Sequence, residues 1–327
     1  MPANLTMENG KASVMYYGDV PWHGLGTKLM SPATSKEAIV AANLNWNVVK
    51  IPLFAKTRVF TNIKDLRAMI TDRDLNSDTP NILGTVGKNY TPVQNTEAFA
   101  FFDSIVGGEK AIYHTAGSLN NNKVIWILAR LPGEIKVIGD DITNKYLLLC
   151  NSHDGSSSVQ IKFTPVRVVC SNTLTAALMD GYTIKIKHSN NVLERLKQSK
   201  QTLGIIENGY KYIGQIFKEM VMTRMSKERM HKYFTAVFPD MKDEKATYYN
   251  RKNRTAVEKL SEIGYGTDIK GVKGTLWGAY NAVTEFVDHK PNQLTPDKQL
   301  YNIWFGSADS VKRRAFRLAE NMKLWLN

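Results

Sequence analysis

The sequence predicts an α+β fold: a hairpin-rich antiparallel sheet with packed helices, followed by an all-helical C-terminal region. Three observations carry this prediction. Residues 145–164 read as strand, turn and strand. There Tyr146–Cys150 is an apolar run, His153-Asp154-Gly155 with three serines is turn chemistry, and Val159, Ile161 and Phe163 alternate with Gln160, Lys162 and Thr164. Tyr182–Lys187 alternates in the same way, with Ile184 and Ile186 on one face and Lys185 and Lys187 on the other. From His188 onward the period of two disappears, and Leu193, Leu196, Leu203, Ile206, Tyr210, Ile213 and Phe217 recur at helical spacings. A chain of 327 residues is long enough for two domains, and the expected division is an α+β sheet domain over 1–187 and a helical basic domain over 188–327.

Residues 1–20 are polar and predict a loosely held arm. Pro21-Trp22-His23-Gly24-Leu25-Gly26 is a tight turn, and no strand precedes it to make its glycines a phosphate-binding fingerprint. Thr34–Asn43 predicts a short helix capped by Thr34 or Ser35, with Glu37 in its first turn. Trp46–Phe60 alternates like one or two strands broken at Pro52, residues 71–81 predict an exposed loop, and Leu83–Tyr90 predicts another strand. A helix is expected from Thr91-Pro92 to about Ile105, stopped at Gly107-Gly108. Ala111–Ala116 and Val124–Arg130 form a hairpin across a triple-asparagine turn, with Ile135–Ile138 as a short strand after it. Pro165 ends the strand that precedes it, and the residues from Arg167 to Leu178 suit a short helix. Beyond His188, helices are predicted over Asn191–Met225, Ser226–Phe238, Thr255–Ile263, Thr275–His289, Gln299–Phe305 and Ala308–Leu326. Lys242–Arg254 is predicted as a charged, mobile connection, and Pro291–Pro296 as a break.

Composition points to a partner more firmly than to an activity. The net charge is +13 and the pI about 9.5, which argues for a polyanion: nucleic acid first, an acidic protein or membrane surface next. From Lys187 to the C-terminus there are 25 Lys and Arg against 15 Asp and Glu, so most of the excess lies there. Lys312-Arg313-Arg314 with Arg317 is the densest cluster, either a solvated helix face or a binding site. Cys150 and Cys170 are too few for a disulfide framework and fit a reducing cytoplasm as small buried hydrophobes. No run approaches the ~18 apolar residues of a membrane span, so a soluble intracellular protein is expected.

The six histidines include no pair at i, i+4, and no HExxH, GxSxG or P-loop occurs. Asp72, Asp74 and Asp78 lack the glycine and terminal glutamate of a calcium loop. No catalytic residue, metal ligand or cofactor is therefore assigned. A binding surface is easier to build. The outward residues of the central strands give Lys162, Lys185 and Lys187 as phosphate contacts, with Arg167 at the bend and Lys145 and Lys123 as outer candidates. Tyr146, Tyr182, Trp126 and Phe163 are the aromatics at hand, as core or as stacking platforms.

Three stretches carry a family resemblance: the turn at 21–26, the run Thr164-Pro165-Val166-Arg167-Val168-Val169-Cys170-Ser171-Asn172-Thr173-Leu174, and Gly274-Thr275-Leu276-Trp277 with the AYNAVTEFVDH that follows. They resemble the phage- and plasmid-borne domain-of-unknown-function 932 family, over nearly the whole chain. That resemblance implies a bacteriophage, prophage or conjugative-plasmid origin and supplies no catalytic residue. The predicted architecture is also similar to single-strand annealing proteins of the Rad fifty-two type, which implies rings that hold single-stranded DNA by its backbone. The expected function is a non-catalytic single-stranded DNA-binding and annealing protein acting in recombination or replication. It is expected to be a homo-oligomer, ring or filament, in the cytoplasm of a bacterial host, without cofactor or membrane contact. Two alternatives are a protein-binding module that inhibits or redirects a host defence factor, and a metal-dependent nuclease with convergent acids and histidines, His153 among them.

Overall fold

The computed structural model describes residues 5–18, 25–56, 58–106, 112–167, 184–198, 203–289, 302, 306–321 and 325. The fold is α+β, as predicted. The chain sorts into two compact units. One comprises Met1–Pro132, Leu147–Lys162 and Thr183–Gly204, the other Gly133–Tyr146, Phe163–Tyr182 and Ile205–Asn327. These units do not coincide with a division at 187/188, because each collects separated stretches of sequence.

The first unit holds most of the strands. β1 (Met7–Glu8) and β2 (Lys11–Ala12) pair as a small hairpin, and β3 (Val14–Tyr17) follows. The loosely held arm predicted over 1–20 is corrected here. β3 pairs in parallel with β4 (Thr27–Leu29) and antiparallel with β8 (Ile112–Leu119), and Val14 and Met15 have no exposed surface. A polar average over twenty residues hid a four-residue strand, Val-Met-Tyr-Tyr, that buries two of its faces.

The main sheet has eight strands. Its order is β13 (Ile184–Ile186), β11 (Val159–Phe163), β10 (Asp141–Ser152), β9 (Val124–Ile138), β8, β3, β4, and β12 (Val166–Arg167) pairs with β10. β8 and β9 meet through Asn120, Asn121 and Asn122, all in the left-handed region at φ 55°, 54° and 67°. Asparagine tolerates that region, so the triple-asparagine turn forms as predicted. The separate strand predicted at Ile135–Ile138 is instead the end of β9, which runs for 15 residues through Pro132-Gly133. The unit boundaries fall inside β9, between Pro132 and Gly133, and inside β10, between Tyr146 and Leu147. The helix predicted after Arg167 lies outside the described residues.

The middle strands are apolar at consecutive positions. Ile125–Ala129 and Tyr146–Ser152 are buried without interruption. Consecutive strand residues point to opposite faces, so these stretches are covered on both. β8 approaches its neighbours closely at Gly117. A Cβ there would lie 2.5 Å from the Trp126 ring and 2.6 Å from the Ser13 carbonyl oxygen.

A separate three-stranded sheet is formed by β5 (Val48–Lys56), β6 (Phe60–Thr71) and β7 (Gly84–Gly87) in that order. α1 (Ser35–Ala41) starts with the predicted capping box: Glu37 N–H donates to Thr34 Oγ1, and Thr34 N–H donates to Glu37 Oε2. α2 (Asn95–Val106) and the short α3 (Val192–Gln198) complete this unit's helices among the described residues.

The second unit is mainly helical. α4 (Leu203–Met222), α5 (Lys227–Val237), α6 (Glu244–Ile263) and α8 (Ser307–Glu320) accompany α7 (Leu276–His289). Every residue of α7 from Leu276 to Asp288 is buried, so α7 is the core helix. Its Trp277 Nε1–H donates to the buried carboxylate of Asp141, 2.7 Å away, and its ring packs between Phe217 and Tyr280. The mobile connection predicted over Lys242–Arg254 is the first half of α6. The Asp243 carboxylate accepts from Ala246 N–H and caps it, while Lys245, Arg251 and Lys252 line the solvent side and Arg254 turns in to Asp240. High charge there marks an exposed helix face and not a break.

The close approach at Gly117 gives a direct test. Gly117→Ala should lower the thermal midpoint, with a loss of about 1–3 kcal/mol from overpacking. Gly87→Ala, where nothing lies within 4 Å of the new methyl, should change it little. Both are read by thermal unfolding.

Candidate nucleic-acid interface

The predicted cations are divided between the two units. Lys123, Lys162, Lys185 and Lys187 belong to the first unit, and Lys145 and Arg167 to the second. Lys185 and Lys187 are exposed, as predicted, on and just beyond the first strand of the sheet order. Lys185 pairs across the strands with Gln160, so the two share a face. Lys162 is a correction: predicted outward, it is 4% exposed. Thr164, from the same predicted outward set, is 3% exposed. β11 lies beside a strand buried on both faces; its polar face is half-exposed at Gln160, opposite Lys185, and covered from Lys162 onward. The Lys162 ammonium acts on the buried Cys150 thiol, whose pKa burial raises and this cation opposes.

The outer candidates are tied down. Lys145 is half-buried, with Nζ 5.6 Å over the Tyr210 ring. Lys123 is half-buried, and its carbonyl accepts from His153 N–H at 2.7 Å. Arg167 sits on β12 opposite Thr143. Of the aromatics, Trp126 and Tyr146 are core at 1% and 5% exposed. Tyr182 and the Phe163 side chain lie outside what is described.

In the basic cluster near the C-terminus, Lys312 and Arg313 are paired with buried carboxylates, while Arg314 and Arg317 keep exposed surface. Lys312 has no exposed surface, and its Nζ is 2.8 Å from Asp288 Oδ1, itself buried. Arg313 pairs with the buried Asp309 one turn earlier, and Arg314 Nε donates to the Val237 carbonyl. These side chains lock α8 onto α7 and α5.

The exposed cations with aromatic company are elsewhere, on the ribbon made by β5 and β6. Its base is core: Ala68, Met69, Ile70 and Thr71 are at most 2% exposed. Its outer part is exposed on both faces. The pairs Phe54↔Asn62 and Lys56↔Phe60 place these four residues on one face. Phe54 is 53% exposed and Phe60 70%, and Lys56 Nζ lies 5.7 Å over the Phe60 ring. Between Lys50 and Arg67 the ribbon carries Lys50, Lys56, Arg58, Lys64 and Arg67 against one acid, Asp65. Below the tip the register shifts between Pro52 and Phe54, where β6 runs from Arg67 to Asn62. Arg67 holds the resulting bulge by donating to the Lys64 and Leu66 carbonyls, and Lys88 pairs with Asp65 at 2.7 Å. The sequence shows this alternation but not that both faces of the outer ribbon lack cover.

His153, the nuclease candidate, is fully buried against Asn95 and the edge of Trp46. Burial pushes its pKa down to about 3, so the ring is neutral. Among the described residues no group of three or more His, Cys, Asp or Glu is placed to hold a metal ion, and no helix is long and apolar enough to cross a membrane.

Together these features define an α+β protein with an exposed basic and aromatic β-ribbon. The chain belongs to the family described as Domain of unknown function (DUF932), which matches residues 82–322. No curated protein and no solved structure matches the chain. The architectural likeness to single-strand annealing proteins therefore rests on the sequence alone.

Lys312→Ala should act on stability, not on binding of a polyanion. Removing the cation beside buried Asp288 is expected to cost about 3–5 kcal/mol, seen as a lower unfolding midpoint. Lys232→Ala, at an exposed position in α5, should leave the midpoint nearly unchanged.

Proposed function

We propose that this protein binds single-stranded nucleic acid, single-stranded DNA in the first place, and brings complementary strands together without covalent chemistry. The observation that carries this reading is the face shared by Phe54, Lys56, Phe60 and Asn62 on the exposed ribbon. An aromatic ring held in solvent offers a flat apolar surface to an unpaired base, worth about 1–3 kcal/mol per stacked base. A duplex keeps its base faces stacked internally, so two such rings favour the single strand. Lys56 and Arg58 beside them supply phosphate contacts, and Lys185 and Lys187 supply further exposed charge in the same unit. The overall +13 charge raises the rate of encounter with any polyanion. Self-association would repeat the ribbon along a strand, which suits annealing by a phage or plasmid protein in the bacterial cytoplasm.

Fluorescence anisotropy with a labelled 30-mer oligonucleotide tests this. Micromolar binding is expected at 50 mM salt, with the affinity falling with a log–log slope of about −3 if four cations meet phosphates. Phe54→Ala with Phe60→Ala should weaken binding tenfold or more at unchanged slope. Lys56→Gln with Arg58→Gln should flatten the slope by about one unit or more. Absence of binding at 50 mM salt, or equal binding to single strand and duplex unaffected by the two phenylalanines, overturns the reading.

A further inference from the structure

The outer side of α6, in the second unit, carries another group of rings and cations. An α-helix turns once every 3.6 residues, so Lys245, Tyr248, Tyr249, Lys252, Ala256 and Lys259 share one side of it. Val257 and Ser261, on the opposite side, are buried, which fixes the first side outward. All six residues except the half-buried Ala256 are exposed. Tyr248 is 54% exposed and Tyr249 53%, with ring centroids 5.7 Å apart at 67°. Lys252 Nζ lies 4.6 Å over the Tyr248 ring. Lys245, Lys252 and Lys259 recur every seven residues, about 10 Å apart along the helix axis.

No acid falls on this side of the helix, because Glu244, Glu258 and Glu262 lie off it in the helical rotation. The acids around it are already engaged. Glu258 meets His231, Glu262 meets Lys273, and Asp240 meets Arg251 and Arg254. Lys245, Lys252 and Lys259 meet no carboxylate at ion-pair distance among the described residues. Ring surface left in water between evenly spaced ammonium groups complements a polyanion that carries flat apolar groups, which is an unpaired nucleic-acid strand. An acidic peptide brings the charge without the flat groups. A membrane surface calls for a broad apolar stripe, and this side of α6 has none.

We propose that this side of α6 is a single-strand binding site in its own right, so that one chain holds two strands, one on each unit. The proposal rests on the nucleic-acid reading above for the class of its ligand, while its residues are separate from those of the ribbon. Bases stack on Tyr248 and Tyr249, and the three lysines meet phosphates. Annealing brings two strands together. With two sites on one chain the second encounter becomes intramolecular, at an effective concentration set by the chain and not by the dilute free strand.

The test uses the full chain and a labelled oligothymidine 8-mer at 50 mM salt. Titration to saturation should end at two 8-mers per chain. Tyr248→Ala with Tyr249→Ala should reduce this to one, with an unchanged circular dichroism spectrum. Phe54→Ala with Phe60→Ala should also reduce it to one, and the four changes together to none. Lys245→Gln with Lys252→Gln and Lys259→Gln, all at exposed positions, should weaken the site that remains in the phenylalanine variant and flatten its salt slope by about two units. Stopped-flow annealing of complementary strands should slow at least tenfold in the tyrosine variant. One 8-mer per chain, lost in the phenylalanine variant and untouched in the tyrosine and lysine variants, overturns this proposal and leaves the ribbon reading standing. A single 8-mer that depends only on the tyrosines supports the α6 site and overturns the ribbon reading. Displacement of the 8-mer from α6 by an octaglutamate peptide at equal concentration overturns the proposal as well, since charge alone then explains the binding.

Discussion

Coverage of the middle strands on both faces is the constraint from which the rest of the structure follows. Ile125–Ala129 and Tyr146–Ser152 have no solvent side at all. A strand in that position cannot present polar side chains to water, and every polar residue it or its neighbour carries must be paired inside. Lys162 and Thr164 obey that rule on β11. Asn151 and His153 obey it at the end of β10, where each reaches the 91–95 stretch. Lys185 and Lys187, on and just beyond the first strand of the sheet order, keep their charge in solvent instead.

The second unit handles charge in another way. Its core helix α7 carries Glu285 and Asp288 at 5% exposure, which would be costly if unpaired. Asp288 meets Lys312, and Glu285 accepts from the backbone N–H groups of Tyr265 and Gly266, which turns the chain after α6. Buried carboxylates here work as connectors between helices. Lys312, part of a cluster that in one dimension fits a solvated face or a binding site, serves to close a core in three.

Much of the fold was legible in the residues. The caps at Thr34 and Ser226, the asparagine turn, the hairpin around His153-Asp154-Gly155 and the helical spacing past His188 all have local causes, and local causes survive in a sequence. What was not legible depends on distant parts of the chain. Alternation in β11 tells which side chains share a face but not whether that face is covered, so Lys162 was misplaced and Phe54 and Phe60 drew no notice. In the 242–254 stretch charge density masks a helix, although Asp243 stands at the capping position just before Glu244. The contacts of Asn151, His153 and His188 with the 91–95 stretch are invisible for the same reason. Residues 91–95, 151–153 and 188 are brought together only by the folded chain, and no spacing within the sequence announces them.

The backbone crosses between the two units five times, at 132/133, 146/147, 162/163, 182/183 and 204/205. This has a consequence for biosynthesis. A nascent chain emerging from the ribosome cannot complete the first unit at residue 132, where its longest piece ends. It must wait until Thr183–Gly204 has been translated and has left the exit tunnel, after two stretches destined for the other unit, Gly133–Tyr146 and Phe163–Tyr182. The second unit closes later still, once Ile205–Asn327 has followed, so neither unit is encoded by one uninterrupted stretch of the gene.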